Sequence, residues 1–207
     1  MKIQAVNDQS GGTTRPSAGF DEMVRPDGSI RPAYQKLADW LSQQSRGLMA
    51  KKQEEAEAIF RRLGITFAVY GDSASNERLI PFDLIPRIIS AKEWRFLERG
   101  IEQRVRALNA FLYDIYHRQE IIRAGRIPAE LITGNEAFLP EMIGFDPPRK
   151  IYSHIIGTDI VRTGENDFFV LEDNLRTPSG VSYMLEDREA MMHLFPELFL
   201  AHRVAPV

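Results

Sequence analysis

The sequence contains no cysteine, and this absence excludes several kinds of chemistry. Disulfide bonds, thiolate metal sites and cysteine nucleophiles all need a residue that the chain lacks. Histidine is scarce as well: there are four, and they are scattered without the spacing of zinc ligands. A zinc site is therefore not expected.

Long apolar runs are also missing from the sequence. No segment reaches the roughly 18 apolar residues that a membrane span needs, and the N-terminus lacks the apolar core of a signal peptide. The net charge of -3 at pH 7 argues against a dedicated nucleic-acid-binding protein. We therefore expect a cytoplasmic protein that has neither a membrane nor a nucleic-acid partner.

The N-terminal part of the chain begins with residues that offer little to bury. They are rich in Ser, Gly and Thr, which predicts a disordered tail over residues 1–19 and one folded domain over residues 20–207. Two helices are then expected, from about Pro32 to Leu41 and from about Ser45 to Leu63. Gly64 follows the second helix as a typical C-terminal stop signal.

The middle of the chain mixes strand and helix patterns. A run of β-branched and aromatic residues over 65–70, together with residues 77–80, predicts a hairpin. Apolar residues at spacings of three and four predict one long helix from about Ser90 to Ala124, and Glu93 completes a capping box at its start.

The C-terminal part predicts a second hairpin and a last helix. The hairpin is expected from Ile151–Arg162 and Phe168–Asn174, and the helix from about Glu186 to Leu194. The expected fold class is α+β, with a helical N-terminal region and a long helix packed on a mainly antiparallel sheet.

The most informative stretch is Leu171–Gly180, which contains acidic, amide and basic residues after an apolar run. In a strand, Glu172 and Asn174 point to the same face. A carboxylate and an amide oxygen near a basic group suit a hard cation that carries phosphate. The same residues also suit a strand end that becomes polar as it enters a turn, so the pattern alone leaves both interpretations open.

The segment 171–183 resembles the signature of circularly permuted ATP-grasp proteins of the second type. The resemblance covers roughly Phe20 to Val207 and is supported by four further segments: Tyr70–Asp72, Pro81–Ile89, Gln103–Asn109 and Gly157–Arg162. It implies a partial circularly permuted ATP-grasp fold, distantly similar to the ligase half of glutathionylspermidine synthase. Enzymes of this kind join a carboxylate to an amine through an acyl-phosphate, using ATP and magnesium.

The resemblance also implies roles for individual residues. Glu172 and Asn174 match magnesium ligands, and Asp159 matches an additional acidic ligand. Arg162 and Arg176 resemble basic groups near the transferred phosphate, where positive charge assists phosphoryl transfer. Structural alternatives stay open for the last three: a turn cap for Asp159, an ion pair with Glu165 for Arg162, and solvation for Arg176.

The pairing register of the second hairpin decides whether the two acids meet. If Arg162 pairs with Phe169, Asp159 lies opposite Glu172 and the predicted ligands share a face. If Arg162 instead pairs with Phe168, Asp159 is displaced by one position. Facing carboxylates are costly without a cation and natural in a magnesium site, so we expect the three predicted ligands to converge.

Members of this family continue for a comparable length beyond the position of Val207. The resemblance places most of the nucleotide site in that part, and no lysine of this chain lies in a glycine-rich phosphate loop. We therefore expect the metal-binding part of a ligase for small-molecule carboxylate and amine substrates. We expect it to be truncated or completed by another chain, inactive alone, and apolar where the missing half docks. The alternative is a non-catalytic remnant that binds a partner.

Overall fold

The computed structural model describes residues 19–68 and 77–206. The predicted tail, apart from Gly19, and the Tyr70–Asp72 segment lie outside the described residues. In the described ranges the helices and strands are, in chain order, α1 (Gln35–Ser42), α2 (Arg46–Leu63), β1 (Thr66–Ala68), β2 (Glu77–Leu79), α3 (Ala91–Tyr116), α4 (Glu120–Arg123), α5 (Ala129–Ile132), β3 (Gly157–Arg162), β4 (Phe168–Asn174), α6 (Gly180–Leu194) and α7 (Pro196–Ala201).

The strands form two separate antiparallel pairs. Strand β1 pairs with β2, and β3 pairs with β4. Together with the helices they make a mixed chain, which confirms the predicted α+β fold class. No helix within the described ranges is long and apolar enough to cross a membrane.

The main hydrophobic core joins the N-terminal helices to the C-terminal helices. Trp40 of α1 meets Phe195 edge to face, with ring centroids 5.0 Å apart. Helix α6 follows β4 after a short turn, so the core anchors the chain on that side of the candidate site. The buried members of this core are Tyr34, Leu37, Ala56, Leu84, Met191, Leu194, Phe195 and Leu198.

Helix α3 packs against the β3–β4 hairpin, as the sequence predicts. Near its N-terminus, the ring of Phe96 lies 6.2 Å from the ring of Phe168. Further along the helix, Arg104 forms an ion pair with Asp173 at 2.6 Å. The helix therefore supports both ends of β4.

The two long helices begin next to the residues that were predicted to start them, Ser45 and Ser90. The Ser45 side chain accepts a hydrogen bond from the Leu48 N–H at the start of α2, and Gly64 ends that helix with a φ of 68°. At the start of α3, Ser90 and Glu93 form the predicted capping box, in which each side chain accepts a hydrogen bond from the other's backbone N–H. The predicted starts of both helices and the predicted end of α2 are confirmed.

Replacing Ser90 by alanine should lower the free energy of unfolding by about 1 kcal/mol. The substitution removes the oxygen that accepts the Glu93 N–H at the start of the longest helix. Urea denaturation measures the loss. Ser179 is a matched control, because it stands at the N-cap of α6 without a side-chain capping bond. Equal losses in Ser90→Ala and Ser179→Ala would contradict the capping role.

Helix α3 ends at Tyr116 and not near Ala124, so the predicted C-terminal boundary is wrong. The chain turns at Gln119, whose φ is 53°, and resumes as the short helix α4. Asp114 stabilises the break, because its two carboxylate oxygens accept the first two backbone N–H groups of α4 at 2.8 and 2.9 Å. Apolar residues continue through α4, which is why their spacing does not reveal the break.

The predicted start of β3 and the predicted start of α6 are also wrong. Strand β3 begins at Gly157 and not at Ile151, because Asn109 of α3 takes the backbone N–H groups that a neighbouring strand would need. Helix α6 begins at Gly180 and not at Glu186. Three apolar residues in its first turns are exposed and therefore do not mark a buried face: Val181, Met184 and Leu185.

Candidate functional site

The β3–β4 hairpin contains a β-bulge next to the predicted site. On the side of the hairpin turn, Arg162 faces Phe168. Towards the other end, Asp159 faces Glu172. The register shifts by one residue between these two pairs, and Leu171 is the extra residue of β4.

The bulge shows why neither predicted register describes the whole hairpin. The expected pair of Arg162 with Phe169 is wrong, because Arg162 faces Phe168. If the ladder continued uniformly from the observed Arg162–Phe168 pair, Asp159 would face Leu171 and not Glu172. A slip of one residue moves side chains to the other face. The extra residue in β4 restores the Asp159–Glu172 pair.

Three oxygen-bearing side chains share one face of this hairpin. Alternation along β4 puts Glu172 and Asn174 on the same face, and Asp159 lies directly across from Glu172. The Asn174 Nδ2 donates a hydrogen bond to Glu172 Oε1 at 3.1 Å. Both acids are exposed to solvent. Facing carboxylates repel each other, and a bound cation would relieve that repulsion.

Gly157 brings the turn after β4 close to this face. It lies opposite Asn174, and a Cβ on Gly157 would stand 2.8 Å from Pro178 Cβ and 3.6 Å from Asn174 Cβ. Only glycine permits this approach without a shift of the neighbouring chain. In the part of the chain that the structure describes, no group of three or more His, Cys, Asp and Glu side chains could hold a metal. The present set instead combines two acids with an amide.

The opposite face of the same strand end is held against α3. Asp173 Oδ2 accepts a hydrogen bond from Arg104 Nε at 2.6 Å and forms an ion pair with Arg104 Nη2 at the same distance. Thr158, which faces Asp173 across the ladder, donates its hydroxyl to Oδ1 at 3.0 Å. The bond from Arg104 lowers the pKa of Asp173 although burial acts in the opposite direction, and it raises the pKa of Arg104. Asp173 is therefore an ionised anchor.

A second contact from α3 holds the chain just after β4. Asn109 Oδ1 accepts the backbone N–H groups of Tyr152 and Ser153 at 2.8 and 3.1 Å. The buried Ser153 hydroxyl then donates to the Leu175 carbonyl oxygen at 2.7 Å. Two residues of α3 thus fix the end of β4 that carries the candidate ligands. Arg104 acts through Asp173, and Asn109 acts through Ser153 on Leu175.

A family model for a circularly permuted ATP-grasp matches residues 86–207, which are more than half of the chain. The matched segment includes α3, the hairpin and the bulge. The chain belongs to the circularly permuted ATP-grasp family. The circularly permuted ATP-grasp family that the sequence predicts is therefore confirmed.

Three relatives show how this ATP-grasp chain compares with longer proteins. An uncharacterized protein from Synechocystis is 44% identical over 192 residues, which cover 93% of this chain and 40% of the relative. An uncharacterized protein from Mycobacterium tuberculosis is 45% identical over 188 residues, which cover 91% of this chain and 33% of the relative. A Frankia casuarinae protein, provisionally named glutamate–cysteine ligase 2-2, is 39% identical over 187 residues, which cover 87% and 21%. The chain therefore spans 40% or less of each of these curated relatives.

The structure places Arg162 of this ATP-grasp chain away from the solvent. Its side chain is only 5% exposed and pairs with Glu22 at 3.3 Å and with Glu93 at 2.7 Å. The guanidinium also donates to the carbonyl oxygens of Gly164 and Glu165. All three guanidinium nitrogens therefore have protein partners, and the predicted contact with phosphate stays a prediction.

Arg176 differs from Arg162 in being exposed. It follows β4 by two residues and has no ion-pair partner among residues 19–68 and 77–206. Its side chain is therefore available to an anion near the strand end. Asp159, for which the sequence left a turn cap as the alternative, lies in the β3–β4 ladder and therefore does not cap a turn there.

Sequence reasoning gave no role to Arg104, Asn109 or Asp173, although two of them lie in the Gln103–Asn109 segment that carries the family resemblance. For Arg104, the sequence contains a signal that indicates a structural role. It falls on the helical stripe of Leu97 and Leu108, where the other positions are apolar. A charged residue within a buried stripe calls for a buried partner, and Asp173 is that partner.

Proposed function

We propose that this chain supplies the magnesium-binding part of a cytoplasmic, ATP-dependent carboxylate–amine ligase. One observation carries the proposal: the bulge sets Asp159 opposite Glu172, and Asn174 is hydrogen-bonded to Glu172 on the same face. Membership of the ATP-grasp family supports an ATP-dependent reaction. The ligase name of the Frankia relative supports the reaction class, although the match covers only 21% of that protein.

The three side chains fit magnesium in their chemistry. They offer carboxylate and amide oxygens, which are the ligands that hard divalent cations prefer. Their number also fits, because magnesium keeps several positions for water and phosphate oxygens. The exposure of both acids leaves room for such further ligands.

Each residue has a distinct task in the proposed site. Asp159 and Glu172 supply negative charge from two neighbouring strands. Asn174 donates its amide nitrogen to Glu172, which leaves its amide oxygen for the cation. When bound, magnesium would neutralise the phosphate charge that builds up during phosphoryl transfer. Arg176 adds an exposed positive charge close to the same strand end.

We further propose that the nucleotide is held mainly by segments outside this chain. The relatives are more than twice as long as the part of them that matches, and they have ample chain for a nucleotide site. Exposed apolar residues beside the candidate ligands, Phe169 and Leu171 of β4, suit coverage by such a segment. The chain alone is then expected to bind metal without forming product.

Two measurements test the proposed function. The chain should bind Mn²⁺ (a probe for magnesium) in a saturable manner, as followed by electron paramagnetic resonance. The full-length Synechocystis relative should release ADP from ATP only when a carboxylate and an amine from a panel of amino acids and small peptides are both present. A folded chain without saturable Mn²⁺ binding would remove the metal site and favour a partner-binding role. A relative that turns over no ATP with any pair would remove the ligase.

A further inference from the structure

We infer that Arg104 is a positioning residue for the metal site, because its grip on Asp173 holds Glu172 and Asn174 on the ligand face of β4. The inference rests on the proposed function and adds a residue from α3 to it. Arg104 itself has no part in metal binding, since it contacts the strand from the opposite face.

The first step of the argument is the position of Asp173 between the two candidate ligands. Successive residues of a strand point to opposite faces, so a side chain fixed on the inner face also fixes its two neighbours on the outer face. The Asp173 side chain is only 7% exposed and is held by two nitrogens of Arg104. Because Glu172 and Asn174 are joined directly to Asp173, their side chains cannot move to the inner face while this contact is intact.

The second step is the β-bulge at Leu171. Because of this bulge, the pairing near the hairpin turn does not determine the pairing of Asp159 with Glu172, which needs further contacts to fix it. A bulge disrupts the ladder locally, and a strand can lose it by sliding one residue along its partner. Without the bulge, the register of the Arg162–Phe168 pair would continue, and Thr158 would face Glu172 in place of Asp173. The Glu172 side chain would then lie on the inner face with Thr158, away from Asp159.

The third step is that the Arg104 contact selects the observed register. Asp173 receives Arg104 on one oxygen and the Thr158 hydroxyl on the other, so both strands are tied to α3 at one level of the ladder. A slip of one residue would break the bond to Thr158 and move the Asp173 carboxylate away from Arg104. The same contact that buries Asp173 therefore keeps the acids of the other face together.

Arginine is required at this position because of its shape. Two of its nitrogens, Nε and Nη2, reach the same carboxylate oxygen from a rigid planar group. Lysine has one flexible ammonium group and cannot reproduce both contacts. The variants Arg104→Ala and Arg104→Lys therefore remove the contact to different degrees. Arg106 is the matched control, since it lies on the same helix with an 81% exposed side chain.

The test measures Mn²⁺ binding by the chain, together with thermal unfolding. Arg104→Ala should raise the Mn²⁺ dissociation constant by about 10-fold or more, within the range seen for residues that orient metal ligands. Arg104→Lys should raise it less, and Arg106→Ala should leave it unchanged. Glu172→Ala, which removes a ligand, should abolish saturable binding.

A second measurement needs no metal and separates positioning from general stability. The NMR signals of the Asn174 side-chain amide should shift in Arg104→Lys and stay in place in Arg106→Ala, at temperatures well below unfolding. Unchanged Mn²⁺ affinity and unchanged Asn174 signals in the folded Arg104→Lys variant would overturn the inference while leaving the metal site intact. Unchanged Mn²⁺ affinity in Glu172→Ala would instead overturn the metal site itself, and the inference with it.

Discussion

In the proposed ligase that contains this chain, replacing Glu172 by alanine should abolish magnesium-dependent ATP turnover and leave the fold intact. The loss is expected because Glu172 connects the proposed ligands: it faces Asp159 across the ladder and accepts a hydrogen bond from Asn174. The fold should tolerate the change because Glu172 is exposed and faces a like charge. The substitution should lower the free energy of unfolding by at most about 0.5 kcal/mol, or raise it.

Two measurements on the same preparations check this expectation. ADP release at saturating ATP reports turnover, and urea denaturation without metal reports stability. Glu130 is a suitable control, because it is an exposed glutamate on the short helix α5 and carries no proposed role. Retained turnover in Glu172→Ala would refute the metal assignment. A loss of turnover accompanied by a large loss of stability would show that Glu172 supports the fold and not the cation.

The local signals in the sequence were sufficient for most of the secondary structure. Ser45, Gly64 and the Ser90–Glu93 pair act within one turn of their own helices, and the structure confirms each of them. Strand β4 was predicted with its observed bounds for the same reason, because the apolar run and the following turn are both local. The break at Gln119 depends on Asp114 reaching across a turn, and the apolar spacing carries no trace of it.

The shared face of Glu172 and Asn174 could be predicted because alternation in a strand is also a local rule. It places Glu172 and Asn174 on one face wherever the strand lies, and the hydrogen bond between them confirms that arrangement. The pairing with Asp159 depends on a bulge at Leu171, and no residue type at that position marks one. A rule that assumes a uniform ladder therefore could not predict the register of the whole β3–β4 hairpin.

Arg162 shows where the sequence is least informative. Its carboxylate partners Glu22 and Glu93 are 140 and 69 residues away along the chain, so their approach depends on the complete fold. The sequence interpretation considered Glu165, which does lie nearby, but Arg162 contacts only its carbonyl oxygen. The Glu165 carboxylate lies 3.6 Å from Arg31 instead.

Replacing Arg162 by alanine should lower the free energy of unfolding by about 3 kcal/mol or more, because it leaves the partly buried Glu93 without its ion-pair partner and leaves Glu22 with Arg87 alone. The guanidinium also lies over two aromatic rings, 5.0 Å from the centroids of both Phe20 and Phe168. For a chain of this size, such a loss lowers the midpoint of thermal unfolding by about 6 °C or more. Arg106→Ala is the control, because its exposed pair with Glu102 should contribute less than about 1 kcal/mol.

The pH dependence of this loss separates the ion pairs from the aromatic contacts. Burial acts to raise the pKa of Glu93, but hydrogen bonds from Ser90 and Arg162 outweigh it and lower the pKa below its ordinary value of 4.5. A lowered carboxyl pKa stabilises the fold above the ordinary value, and this contribution disappears as the pH falls through the lowered one. The difference between the wild type and Arg162→Ala should therefore be largest near neutral pH and shrink below about pH 4.5. A difference that stays constant down to acid pH would assign the stability to packing against Phe20 and Phe168. A variant with unchanged stability but reduced ATP turnover would instead restore the predicted role of Arg162 at the phosphate.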